Sequence, residues 1–149
     1  MGDFDHLIEV ESEARDLLVR GEYRLASELF LKIVTELPEY EHGFCFYDLA
    51  ICMEELGEFE AAERYYLQAL AYQPDDSIRL GGYASFLYLH GNPRVAFYMH
   101  LRLLFLERTQ LDPAGADKTL TALRTLAQNL HMPQEEFVRL TGSHLSPTQ

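Results

Sequence analysis

A six-residue phrase occurs three times in this chain: GEYRLA at residues 21–26, GEFEAA at residues 57–62 and GNPRVA at residues 91–96. Gly21, Gly57 and Gly91 open the three copies, at nearly equal intervals along the chain. Self-similarity with a period of about 34 residues is typical of stacked helical hairpins, because a single hairpin cannot bury its apolar face without a neighbour. The phrase therefore predicts three similar pairs of helices.

Helical patterning surrounds each copy of the phrase. Around Gly57, apolar residues recur in steps of three and four on both sides, as they do on one face of a helix. We expect Gly57 to adopt the left-handed conformation that ends the first helix and allows a tight reversal into the second. The same pattern surrounds Gly21 and Gly91. Asn92-Pro93 is a strong helix start, because asparagine caps a helix and proline fits its first position.

The spacing inside the repeats is constant, which fixes their register. The first two glycines are slightly further apart than the last two, and the additional residues fall in the connection at residues 39–43, where an insertion does not disturb helix packing. Three equivalent pairs have the same separation in sequence: Val10 and Ala26, Phe46 and Ala62, Leu80 and Ala96.

The repeat ends after Arg108. Asp112-Pro113 predicts the start of a further helix, and residues 134–141 predict a short last helix that ends at Gly142. These helices are placed to cover the exposed face of the last repeat. The expected fold is therefore all-α, an α-solenoid of three helical hairpins with C-terminal capping helices. The expected boundaries are an N-terminal tail at 1–6, repeats at 7–40, 43–76 and 77–110, capping helices at 111–142 and a C-terminal tail at 143–149.

The repeated pattern resembles that of the tetratricopeptide repeat family, and the resemblance covers residues 7–110. In this family the first helix carries a large residue, leucine, a small residue and a second large residue, and the second helix carries an alanine, an aromatic residue and a proline. The departures are Glu13 in the first repeat and Tyr83, His100 and Arg108 in the third. The second repeat matches at Phe46, Leu49, Ala50, Met53, Ala62, Tyr66 and Pro74.

The resemblance implies a protein-interaction module in which the first helix of each hairpin lines a concave groove for an extended or helical peptide. Carried over by position, the groove is largely apolar and aromatic. We expect Phe44, Tyr47 and Tyr88 to be its anchors, because aromatic residues dominate such interfaces. In the alternative, a flanking helix of the same chain covers some of them. The candidate groove residues are Glu11, Arg15, Leu18, Phe44, Tyr47, Ile51, Glu54, Ile78, Ser85 and Tyr88.

The net charge of −12 is concentrated in the first half of the chain. Residues 1–76 hold 19 acidic and 5 basic side chains, a net −14, whereas residues 77–149 hold 5 acidic and 7 basic side chains, a net +2. A chain this acidic repels phosphate backbones, so we expect no nucleic-acid partner. The acidic half favours a basic or amphipathic partner, and in the alternative it is only a solvated surface.

No pattern of a catalytic, cofactor or metal site is found in the sequence. The six histidines have no metal-ligand spacing and no glycine-rich phosphate loop is present, so we expect no enzyme activity, no cofactor and no metal. His100 stands at an aromatic position of the repeat and is expected in the core. Cys45 and Cys52 would lie two helical turns apart, too far for a disulfide, so both are expected to be free thiols.

Location and function complete the expectations. No apolar run is long enough to cross a membrane and the start of the chain is acidic, so we expect a cytoplasmic protein without membrane insertion. The leading function is an adaptor that recruits a protein or peptide. One alternative is a chaperone for translocator proteins of a bacterial type III secretion apparatus, a family that is similar in its small size, acidity and three repeats. A second alternative is self-association through the repeats, as in a homodimer.

Overall fold

The computed structural model describes residues 4–145, which contain eight α-helices and no strand. Residues 1–3 and 146–149 of the predicted tails lie outside the described part. The helices lie where the sequence pattern predicts them. α1 begins at Asp5, two residues inside the predicted N-terminal tail. The helices are α1 Asp5–Val19, α2 Tyr23–Glu36, α3 Phe44–Glu55, α4 Phe59–Tyr72, α5 Ser77–His90, α6 Pro93–Thr109, α7 Pro113–Asn129 and α8 Gln134–Thr141, with a short 3-10 turn at Tyr40–Gly43 between α2 and α3.

The turns inside the first two hairpins have the predicted left-handed glycine. Gly21 has φ 79° and Gly57 has φ 77°. At Gly57 the backbone N–H of Glu58 donates to the carbonyl of Met53, and the N–H of Gly57 donates to the carbonyl of Glu54. This Schellman arrangement satisfies carbonyl groups that a helix end otherwise leaves unpaired.

The third hairpin reverses differently from the first two. Gly91 is not in the left-handed region, and its N–H donates to the carbonyl of Leu87 as in a continuing helix. The Asn92 side chain then caps α6 as predicted, accepting from the N–H of Arg94 at 2.8 Å. The repeated glycine is therefore a left-handed turn residue in only two of its three copies.

Later in the chain, two non-glycine residues take the left-handed role. Leu111 (φ 56°) follows α6 and His131 (φ 55°) follows α7, and both carry the same pair of Schellman hydrogen bonds as Gly57. Asp112 caps α7 through the N–H of Gly115, and Gly142 ends α8 with φ 71°. The two helices predicted after Arg108 are present: α7 starts after Asp112 as predicted, and α8 spans the predicted residues 134–141.

The chain divides into two compact units, one up to Arg79 and one from Leu80 onwards. In the first unit α1 packs on α2, α2 on α3 and α3 on α4, in the order of the sequence. The small residues of the repeat, Ala26 and Ala62, are fully buried and allow the paired helices to approach closely. Phe30, Ile33, Leu49 and Tyr66 fill the space around them.

The second unit has its own core. α6 packs on α7 and contacts α8. The largest side chains of this core, Phe97 and Phe137, come from α6 and α8 and their rings meet at 6.5 Å. Arg108 at the end of α6 donates to the carbonyl of Thr141, which holds the end of α8.

Candidate binding face on the first and third helices

α3 places its candidate residues on one face. Phe44, Tyr47 and Ile51 recur at steps of three and four and are half-buried. Asp48, between them, shares this face but is only 3% exposed. α1 contributes Glu11, Arg15 and Leu18, which are also half-buried. We refer to eight residues as the binding face: Glu11, Arg15 and Leu18 of α1, and Phe44, Tyr47, Asp48, Ile51 and Glu54 of α3.

Arg15 joins the two helices of the binding face. Its Nη1 donates to Asp48 Oδ1 at 2.9 Å, and its Nη2 donates to Glu11 Oε2 at 2.8 Å. Burial lowers the pKa of Arg15, but the two carboxylates raise it by more, so the guanidinium stays charged. The only basic candidate in the groove is therefore already paired with two acids.

Glu11 is occupied on both of its oxygens. Oε2 accepts from Arg15, and Oε1 accepts from the Tyr40 hydroxyl at 3.0 Å. Burial and then this hydrogen bond raise the pKa of Tyr40 to about 12. Tyr40, from the turn between α2 and α3, was not among the predicted residues. It lies in the insertion at residues 39–43, where no repeat position could assign it a role.

Asp48 is the most unusual group of the binding face. Its Oδ1 is paired with Arg15, whereas Oδ2 is buried and has no hydrogen-bond partner within residues 4–145. Burial raises the pKa of Asp48 to about 6, and the neighbouring Arg15 offsets only part of that effect. At neutral pH the face thus contains a buried, incompletely paired carboxylate, which is costly in a protein interior.

Phe44 packs against two guanidinium groups. The Cζ atom of Arg15 lies 5.6 Å from the Phe44 ring centre and that of Arg79 lies 5.2 Å from it. Cation–π contacts of this kind are favourable and use the faces of the ring. Phe44, predicted as an anchor for a partner, is therefore already engaged by residues of its own chain.

Arg79 packs against Phe44 of the binding face, and the sequence did not predict it as a site residue. Its guanidinium donates to Asp76 Oδ2 and to the carbonyls of His42 and Ala69, at 2.7 to 2.8 Å, and it is 3% exposed. The turn that it holds is strained, because Glu41 (φ 53°) and His42 (φ 54°) are left-handed non-glycine residues. The spacing Asp76-x-x-Arg79 at a helix start was the only available signal.

Tyr47 extends the aromatic part of the binding face towards Glu54. Its ring lies 5.1 Å from that of Phe44 and meets Tyr66 edge-on at 5.8 Å. The hydroxyl of Tyr66 donates to Glu54 Oε1 at 2.7 Å. Burial raises the pKa of Tyr47, so its hydroxyl stays protonated at neutral pH.

The remaining candidates lie on α5. Ile78, in the first unit, is 60% exposed at the start of that helix. Ser85 and Tyr88 are exposed and belong to the second unit, where Tyr88 meets His100 edge-on at 6.0 Å. The contacts within the first unit thus bring together five predicted residues, Glu11, Arg15, Phe44, Tyr47 and Glu54, with three unpredicted ones, Tyr40, Asp48 and Arg79.

Other chemistry is limited in the described part of the chain. Residues 4–145 contain no cluster of three histidine, cysteine or acidic side chains that could hold a metal ion. None of their helices combines the length and apolar character that crossing a bilayer requires.

Cys45 and Cys52 are buried free thiols, and His100 is a core residue whose Nδ1 lies 2.7 Å from the carbonyl of Ala96, as expected. Burial lowers the pKa of His100, so it is neutral at physiological pH.

Comparison with known proteins adds one finding. The model of the tetratricopeptide repeat family matches residues 43–76, which contain α3, α4 and the Gly57 turn between them. No curated protein matches the chain.

Proposed function

We propose that this chain is an adaptor whose binding face on α1 and α3 takes a peptide segment from a protein partner, and the match of residues 43–76 to the tetratricopeptide repeat family supports this proposal. Repeats of this family are protein-interaction modules, and the proposal concerns where and what this one binds. The leading candidate is an extended or helical segment that carries both apolar and basic side chains.

The observation that supports this proposal is the character of the binding face. Tyr47, Ile51 and Leu18 are half-buried apolar side chains, which a partner could cover at little further cost in desolvation. Both cations near them, Arg15 and Arg79, are already paired with carboxylates of the chain. The surplus of acid in the first half of the chain therefore favours a basic partner over an acidic one.

The test is site-specific photo-crosslinking of the full chain in its native cell. A crosslinking residue at Ile51 reports on the binding face, and one at Leu67, which is 49% exposed on α4, is the matched control. We expect a discrete crosslinked partner from position 51 and none from position 67. Equal crosslinking from both positions, or none from position 51, contradicts the proposed face.

Substitution provides a second measurement on the same partner. Replacing Tyr47 by alanine should weaken its capture, while circular dichroism verifies that the helices remain. Unchanged capture by this variant also contradicts the proposal. The identity of the partner separates the alternatives, since a secreted apolar protein encoded beside this chain would favour the secretion chaperone.

A further inference from the structure

The outer face of α6 carries apolar side chains that remain exposed in the described part of the chain. Val95, Tyr98 and Phe105 recur at steps of three and seven and are 42%, 46% and 71% exposed. Arg94 and Arg102 lie on the same face and are also exposed. The buried residues of α6, which include Phe97, His100 and Leu104, lie on the opposite side. We call these five exposed residues the α6 stripe.

The repeat itself does not require this stripe. The positions that correspond to Tyr98 in the first two repeats hold Glu28 and Arg64, and those that correspond to Phe105 hold Thr35 and Ala71. Polar or small residues therefore serve these positions equally well in α2 and α4. Large aromatic residues in the third repeat point to a role outside the fold, because exposed apolar stripes commonly mark interaction sites.

The charge of the stripe indicates what covers it. Glu107 is the only acidic residue of α6, and it is buried with one oxygen accepting from the Thr119 hydroxyl at 2.6 Å. The exposed face of α6 is thus apolar and basic in a chain of net charge −12. Its complement is a helix surface that is apolar and acidic.

α1 of this same chain has such a surface. It is the first helix of the described chain, and it exposes Ile8 (60%) and Val19 (86%) to solvent. Four acidic residues share its exposed side: Asp5, Glu9, Glu13 and Asp16. None of these six residues belongs to the Arg15 network of the binding face.

We propose that the α6 stripe is an interface for a second copy of this chain, whose α1 docks on it through Ile8 and Val19 and through its acidic residues. The contact joins two different surfaces, so it either closes a reciprocal dimer or continues as a head-to-tail assembly. It is independent of peptide binding on α1 and α3, which uses other residues.

The first test is the concentration dependence of the mass in solution. Sedimentation equilibrium of the wild-type chain should show association as the concentration rises. The double variant Tyr98→Glu/Phe105→Thr uses residues that the first repeat has at the same positions, so the helix should be retained. We expect it to raise the dissociation constant at least about tenfold. Leu67→Glu, on α4, is the control and should associate like the wild type.

A charge exchange tests which surfaces meet. The variant Glu13→Arg/Asp16→Arg makes α1 basic, and the variant Arg94→Glu/Arg102→Glu makes the α6 stripe acidic. Each should associate more weakly than the wild type alone, and an equimolar mixture should recover association because the reversed surfaces match again. A wild type that stays monomeric, a Tyr98→Glu/Phe105→Thr variant that associates like it, or a mixture that recovers nothing overturns the proposal.

Discussion

Asp48 and Arg79 are the residues that give the binding face its character, and neither was predicted from the sequence. Asp48 stands between two expected groove positions on α3, but its hydrogen-bond partner, Arg15, comes from a different helix. Arg79 is held by backbone carbonyls of residues 42 and 69. Carbonyl groups leave no signature in a sequence, so such partners cannot be read from it. His100 was predicted to be a core residue because its repeat position alone determines its burial.

The first prediction concerns the ionisation of Asp48. Its pKa in the folded state, about 6, lies above the ordinary value of 3.8 because of burial. Between these two values the folded chain holds more protons than the unfolded chain, so the contribution of Asp48 to stability decreases as the pH rises. The total decrease is about 3 kcal/mol for a shift of this size.

Asp48→Asn removes this contribution but retains an oxygen that can accept from Arg15. We expect the free energy of unfolding of the variant, relative to that of the wild type, to rise by up to about 3 kcal/mol between pH 4 and pH 7. Urea denaturation at several pH values measures the difference, in which the contributions of other titrating groups cancel. A difference that does not change with pH would falsify the assignment.

At the scale of helices and turns, the sequence predicts most of what forms. Helices follow from the three- and four-residue apolar spacing, and the glycines at 21 and 57 follow from the need to reverse the chain. Gly91 departs because the Asn92-Pro93 pair starts α6 at once, without a left-handed turn. Leu111 and His131 show that the same turn forms without glycine where the flanking helices impose it, which sequence preference alone does not predict.

A comparison of two glycines distinguishes the cost of a left-handed backbone from the cost of steric crowding. Gly43 (φ 76°) and Gly57 (φ 77°) have nearly the same conformation, but a Cβ atom on Gly43 would lie 2.6 Å from Cγ of Tyr72 and one on Gly57 would contact nothing. We expect Gly57→Ala to destabilise the chain by about 1 kcal/mol and Gly43→Ala to cost at least about 1 kcal/mol more. Guanidinium denaturation compares the two, and equal losses would mean that Tyr72 does not restrict the turn.

At Leu111 the opposite substitution, to glycine, should stabilise the chain. It is left-handed (φ 56°) and its side chain is 86% exposed, so glycine would relieve the strain without loss of packing. We expect Leu111→Gly to stabilise the chain by about 0.5–1 kcal/mol. Leu67→Gly, in the middle of α4, is the control and should destabilise it by about 1 kcal/mol or more. A higher melting temperature for the first variant and a lower one for the second would match the prediction, and destabilisation by both would contradict it.

At the scale of the whole molecule, the repeat period predicts the order of the helices because stacked hairpins pack in sequence order. It does not predict the binding face, since Tyr40 and Arg79 reach that face from an insertion and from the start of the next repeat. The charge difference between the two halves was visible in the sequence. That the exposed face of α6 lacks acidic groups became apparent only when Glu107 was found to be buried.

The reactivity of the two cysteines measures whether α3 stays packed in the first unit. Cys45 and Cys52 are fully buried on α3, and burial raises the pKa of each thiol to about 12. With these pKa values only about one buried thiol in 10⁴ is ionised at pH 8, and the thiolate is the reactive form. We expect Ellman's reagent to modify neither thiol in the native chain over minutes, and both at once in urea. Rapid modification without denaturant would show that α3 is not packed as described.

The contacts of Arg79 also bear on how this protein can be divided or recombined. Repeat proteins are often treated as strings of interchangeable modules, and residues 43–76 form such a module by their spacing. Here the turn that leads into this module is fastened by an arginine that lies three residues beyond its end. If the second repeat were excised or transplanted at its sequence boundaries, Arg79 would be removed, and the turn would lose the hydrogen bonds that Arg79 donates to the carbonyls of Glu41 and His42. The exchangeable unit in this chain therefore extends from the Tyr40 turn to the first turn of α5.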